Sequence, residues 1–343
     1  MYSYHGLYPS AYALRFVRAG VFVRTASPSL ALAIGLTTRI LMQVKYKLPS
    51  LVMLRDDRAG RGGESADMIK DIVVNLPIGA SRDAAISFAA STAARLGAHL
   101  TGIAFVYEPL LPVMVGMYRT PAIIESQRAE NARIAQDAVV KFEEAVRLAG
   151  ISAESHKIET PVTDAPAVLA RMARRFDLTV IAQPEPEQPA LARLLVEAAL
   201  FESGRPVLVV PYIHAAPLSL DRVLVCWDGS RNAARAVGDA TEFLVAAKST
   251  EIVIVTGEAA KSDELPGADI ARHLARHGAK VDVKGIAATE IDVANTILSY
   301  AADASADFLV MGGYGHSRMR EFLLGGVTRG ILASMTVPTL MSH

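Results

Sequence analysis

Residues Asp307 to Met341 read DFLVMGGYGHSRMREFLLGGVTRGILASMTVPTLM, and this stretch decides the fold. Phe308 to Met311 is a short apolar run with the composition of a buried parallel strand. Gly312, Gly313 and Gly315 follow at once, and Gly325 and Gly326 come nine residues after Gly315. Val327 to Met335 then has helical spacing, and Val337 to Met341 is a second short strand. Strand, glycine turn, helix and strand together are the order of an α/β phosphate site. Glycines allow close backbone approach and positive φ, and the free N–H groups at a helix start face an anion. Two common phosphate loops are excluded. No Gly-x-x-x-x-Gly-Lys-Ser/Thr occurs, and Arg318 stands where a dinucleotide fingerprint starting at Gly313 needs its third glycine. The plainer reading, that the glycines only form tight turns, is set against a spacing that places four of them between a strand and a helix.

Working outward, the alternation of short β-branched runs and amphipathic helices continues in both directions. Before the glycine stretch it gives strands at Arg222 to Trp227, Glu251 to Thr256 and Lys280 to Ile286. Helices are expected at Ser230 to Ala247, Ala268 to His277 and Asp292 to Ala302. Pro211 to Leu218 reads as a linker. Upstream, the pattern occurs once more. Strands are expected at Ile69 to Leu76, His99 to Val106, Ile151 to Ile158, Leu178 to Ala182 and Pro206 to Val210. Helices fall at Arg82 to Leu96, Pro121 to Leu148, Asp164 to Phe176 and Gln188 to Glu202, with Gly97 and Gly150 as C-terminal stops. The two halves are an internal repeat with a period near 150 residues. KDIVVNLPIGASRDAAISFA parallels DRVLVCWDGSRNAARAVGDA, and FDLTVIAQPEPEQPALARLL parallels the opening of the glycine stretch. The expected fold is α/β: two tandem doubly wound, Rossmann-like parallel-sheet domains at 68–212 and 219–343. Ligands in such sheets sit beyond the carboxyl ends of the strands, where the strand order reverses.

The G-x-x-G-9x-G-G spacing of Gly312, Gly315, Gly325 and Gly326 resembles the ATP-binding motif of the universal stress protein family, G-2x-G-9x-G-(S/T). The resemblance covers nearly everything after Met68 and departs at Gly326, where the family has a Ser or Thr hydroxyl near the phosphates. It implies a regulatory stress-response protein, cytoplasmic and not an enzyme, whose second domain binds ATP or AMP, with Mg accompanying ATP. The implied contacts are Asp228, Met311, Gly312, Gly315, Gly325, Gly326 and Val327. Asp228 corresponds to an aspartate at the end of the family's first strand, near the adenosine; on the residues alone it reads equally as a helix cap. The first repeat has Pro77 and Ile78 at that place. Its loop QPEPEQPALARLL lacks glycine and carries Glu185 and Glu187, so it is expected to hold no nucleotide. Family members pair through the last strand, which leaves two options: pairing of the two halves within one chain, or a homodimer built on Val337 to Met341.

Composition narrows the alternatives. The 343 residues include 35 Lys and Arg against 35 Asp and Glu, so no basic excess points to nucleic acid. The single cysteine, Cys226, excludes an internal disulfide and a cysteine-based zinc cluster. His273 and His277 stand four apart on an expected helix without a third ligand and read as surface. No catalytic base and no metal site emerge. Residues 1–67 have no acidic residue before Asp56 and belong to neither repeat; the run from Ala26 to Val44, broken by Arg39, is too short to span a bilayer, so no membrane partner is expected. This segment reads as a basic extension outside the fold. Two further functions stay open on the same fold: a slow ATP hydrolase, and a protein that binds no nucleotide and works through its surfaces.

Overall fold

A computed structural model describes residues 69–78, 83–109, 121–185, 189–256, 267–287, 292–313 and 326–343. The first half runs β1 (Asp71–Asn75), α1 (Ala84–Leu96), β2 (His99–Tyr107), α2 (Pro121–Ala149), β3 (Ala153–Thr160), α3 (Ala165–Ala173), β4 (Leu178–Ala182), α4 (Pro189–Glu202) and β5 (Val207–Val210). The second half runs β6 (Val223–Cys226), α5 (Arg231–Asp239), α6 (Thr241–Ala246), β7 (Thr250–Thr256), α7 (Ala268–Arg276), β8 (Val281–Ala287), α8 (Val293–Asp303), β9 (Phe308–Gly312), α9 (Gly326–Ser334) and β10 (Thr339–Ser342).

The ten strands among the described residues form one sheet in the order β3-β2-β1-β4-β5-β10-β9-β6-β7-β8. Read from its outer edge, each half has the same order: third, second, first, fourth and fifth strand. Neighbours are parallel except at the centre, where β5 and β10 run antiparallel, with Thr339 opposite Val209 and Met341 opposite Val207. The last strands thus pair within one chain, and β10 has neighbours on both sides, β5 and β9. A homodimer through the edge of that strand is not available. The outer strands β3 and β8 carry charges such as Lys157, Glu159, Asp282 and Lys284, which discourage further strand addition.

Successive residues of a strand face opposite sides of the sheet, and both sides are covered. Ile72, Val74, Val223, Val225 and Leu340 join one apolar layer with residues of α1, α2, α5, α6 and α7. Val73, Leu224 and Met341 join the other with α3, α4, α8 and α9. Double coverage explains why the central strands are continuous Val, Ile and Leu runs without polar alternation.

The repeat extends to hydrogen bonds. Asp177 Oδ2 accepts from the backbone N–H of Lys70 and Asp71 (2.9 and 3.1 Å), and Asp307 Oδ2 accepts from that of Arg222 (2.7 Å). Each aspartate fastens the start of a fourth strand to that of a first strand. Gly97 and Gly150 stop their helices in the left-handed conformation, at φ 63° and 66°. One expected element differs. The helix from Ser230 to Ala247 is broken at Ala240, with φ −92° and ψ 0°. Gly238 is a weak helix former, and the Thr241 hydroxyl donates to the carbonyls of Val237 and Gly238 at 3.1 and 2.9 Å. That back-bonding competes with the helical ladder and turns the chain.

Candidate functional site

The strand order reverses once in each half, between β1 and β4 and between β6 and β9. At the second point Cys226 is the register partner of Met311. Asp228 and Gly313 each follow this pair by two residues, at the carboxyl end of the sheet. Asp228 is exposed. Its Oδ1 accepts from the backbone N–H of Ser230 at 2.9 Å, which forms the turn between β6 and α5. The cap of α5 is a different residue: Ser230 accepts from the N–H of Ala233 at 3.1 Å. With the capping position filled by Ser230, the Asp228 carboxylate shapes the turn and faces solvent.

Gly312 has a packing reason. A Cβ there would lie 2.6 Å from the backbone nitrogen of Ala233 and 2.7 Å from the carbonyl carbon of Asn232. The first turn of α5 thus rests directly on the end of β9. Buried Asn232 extends this contact: its Nδ2 donates to the carbonyl of Gly313 at 2.6 Å and lies 3.0 Å from Nδ1 of His343. His343 itself packs edge-on against Phe201, with ring centroids 4.9 Å apart. Asn232 and His343 both hold the carbonyl of Gly313, just beyond the end of β9. Sequence reasoning missed both, because Asn232 looks like an ordinary polar residue early in a helix.

Of the other expected contacts, Met311 is 4% exposed and its side chain lies in the core, so only its backbone faces the site. Gly326 opens α9 and is exposed; Val327 is half-buried against the core. A Cβ at Gly326 would meet nothing within 4 Å. Thr328 is buried. Gly315, His316, Ser317, Arg318 and Gly325, and in the first half Glu187, lie outside the described residues. Burial, aided by the Asp228 carboxylate, pushes the Cys226 thiol up to about 12, so it is not a thiolate nucleophile at neutral pH. His273 and His277 are exposed, with ring centroids 4.8 Å apart. Among the described residues no group of three or more His, Cys, Asp or Glu could hold a metal, and no helix is long and apolar enough to cross a membrane.

The first switch point is a cavity of about 450 Å³, lined by residues including Leu76, Ile78, Tyr107, Ile181, Leu191 and Leu195. Counting from the register partners Ile72 with Leu178 and Val223 with Phe308, Pro77 stands where the second half has Asp228, and Ala182 where it has Gly312. Among the described residues the lining contains no lysine or arginine.

The architecture is that of a three-layer, doubly wound α/β protein with a switch point in each half. Residues 219–343 match the model of the Universal stress protein family. A universal stress protein from Archaeoglobus fulgidus DSM 4304 superposes with a TM-score of 0.59 at 18% identity, over 79% of this chain and 95% of its own. A functionally unknown protein from Pseudomonas aeruginosa PAO1 gives 0.54 at 15% identity, over 80% of this chain and 93% of its own. At such identities the likeness is one of fold, and it spans both halves. No curated protein matches the chain.

Proposed function

We propose that the second half binds an adenine nucleotide, ATP or AMP, at the β6–β9 switch point, and that the protein acts as a regulatory stress-response protein of the cytoplasm, not as an enzyme. Residues 68–212 are its companion domain, and residues 1–67 an extension outside both. The observation that carries this reading is the placement of Asp228. It stands exposed two residues beyond the Cys226–Met311 pair, at the carboxyl end of the sheet, where a carboxylate accepts hydrogen bonds from ribose hydroxyls or an exocyclic amine. The start of α9, at Gly326 and Val327, offers the positive end of a helix dipole to the phosphates. A magnesium ion would enter with ATP, on its phosphates.

The test is calorimetric titration of AMP and ATP into the full chain and into Asp228→Ala. Hydrogen bonds to a charged group are worth about 1.5–3 kcal/mol. The variant is therefore expected to bind AMP roughly tenfold or more weakly, at one site per chain. Unchanged affinity in Asp228→Ala, or two equivalent sites per chain, would overturn the reading.

A further inference from the structure

The first-half cavity lacks what a phosphate needs, yet it is not filled by the protein's own side chains. Its volume, about 450 Å³, falls in the range of small-molecule sites. Its walls are mostly aliphatic, with four polar side chains among them, Glu185 and three uncharged groups. Gln183 is committed to structure: its Nε2 donates to the carbonyl of Leu332 at 3.0 Å, and its Oε1 accepts from the N–H of Tyr212 at 3.4 Å. Tyr107 stacks on Phe105 with centroids 6.1 Å apart, and burial pushes its hydroxyl up to about 12, so it stays uncharged. Asn75 differs from both. It lines the cavity, is 7% exposed, and its Oδ1 has no hydrogen-bond partner. A buried amide oxygen left unpaired costs stability. In the second half the same register position is Cys226, which needs no partner.

We propose that this cavity is a second binding site, separate from the nucleotide site, for an uncharged and largely apolar small molecule that donates one hydrogen bond to Asn75. An aromatic amine or N–H heterocycle has this chemistry. A donor from the ligand satisfies the orphan oxygen, and the aliphatic walls take the hydrocarbon surface. Anions are disfavoured, because the Glu185 carboxylate is at the wall and no lysine or arginine is among the described lining residues.

The probe is N-phenyl-1-naphthylamine, a neutral aromatic amine whose fluorescence rises in apolar surroundings. Its oxygen analogue 1-phenoxynaphthalene lacks the N–H, and its affinity is measured by competition. Saturable one-to-one binding of the amine to the full chain is expected, at least about fivefold tighter than the ether. Asn75→Leu should abolish that preference while melting at the same or a higher temperature, since it removes an unpaired polar atom. Ala182→Trp, or Leu191→Trp if the first does not fold, should fill the space and weaken the amine at least about tenfold. Saturating AMP should leave amine binding in place. The proposal is overturned if the amine does not bind saturably, if amine and ether bind equally to the wild type, or if the preference survives Asn75→Leu. It also falls if a folded tryptophan variant binds as before, or if AMP displaces the probe.

Discussion

Gly312→Ala tests the close packing of α5 on β9, and its magnitude follows from the contacts. The new methyl would lie 2.6 Å from the backbone nitrogen of Ala233. That is about 0.8 Å inside the near limit of ordinary contact, where repulsion is steep. The obstructing atoms are backbone at the start of a helix, so no rotamer change relieves the clash, and α5 must retreat. Overpacking of this kind costs about 1–3 kcal/mol. Retreat also strains the 2.6 Å bond from Asn232 Nδ2 to Gly313, whose loss in a buried place adds about 1–3 kcal/mol. At roughly 2–4 °C per kcal/mol for a domain of a few hundred residues, the melting temperature should fall by about 5–15 °C. Gly326→Ala is the matched control from the same motif. Its Cβ meets nothing within 4 Å, and alanine is the better helix former by up to about 1 kcal/mol, so its melting should be unchanged or slightly raised. Scanning calorimetry of both variants reads the difference directly. A Gly312→Ala variant that melts within a degree of wild type would show that α5 does not rest on β9 at this point.

Gly326→Ser restores the hydroxyl of the family motif at a position with room for it, so ATP affinity should rise about tenfold, with AMP little changed; calorimetric titration that found no gain for ATP would remove this helix start from the phosphate site. Cys226 should react slowly with iodoacetamide at pH 8 in the folded chain and rapidly after denaturation, and equal rates would show an accessible thiolate. The same burial makes stability pH-dependent. Above pH 9 the unfolded chain releases the Cys226 proton while the folded chain keeps it to about 12, and Tyr107 does likewise above pH 10, so stability should fall as pH rises through that window. Cys226→Ala should flatten the slope between pH 9 and 10, and an unaltered slope in denaturant titrations would place the thiol in water.

The strands and the repeat were legible because a doubly covered parallel sheet demands uninterrupted Val, Ile and Leu, as in IVVN and VLVV. Helix ends were legible where a glycine adopts positive φ, as at Gly97 and Gly150. The break at Ala240 was not, since it depends on where the Thr241 hydroxyl points. The glycine spacing did not reveal the work of each glycine. Spacing treats Gly312 and Gly326 alike, whereas one carries a helix against its α-carbon and the other faces open space. Asn232 and His343 are 111 residues apart and meet only because β10 lies beside β9. The first-half cavity was illegible for a related reason. Missing glycines and added carboxylates argue against phosphate, and that argument concerns one ligand chemistry only. Whether space remains at Leu76, Ala182 and Leu191 depends on side chains from three elements.

The two halves therefore share one end of the sheet and differ at the other. At the amino ends of the strands, Asp177 and Asp307 do the same work: each carboxylate holds the backbone of the neighbouring first strand, and each backbone N–H bonds that strand's carbonyl, Asp71 at 2.8 Å and Arg222 at 2.9 Å. At the carboxyl ends the equivalent positions part in chemistry: Asn75 against Cys226, Pro77 against Asp228, Ala182 against Gly312. The first set removes a carboxylate and a backbone approach, and places an unpaired amide oxygen in an apolar space. The second places an exposed carboxylate beside a tightly packed glycine strand end. Asn75, Cys226, Ala182 and Gly312 all keep their places in the backbone ladder, so their side chains can differ at the binding end of the sheet while the strand pairing is retained. The antiparallel β5–β10 junction makes both clefts part of a single sheet, whatever occupies each of them.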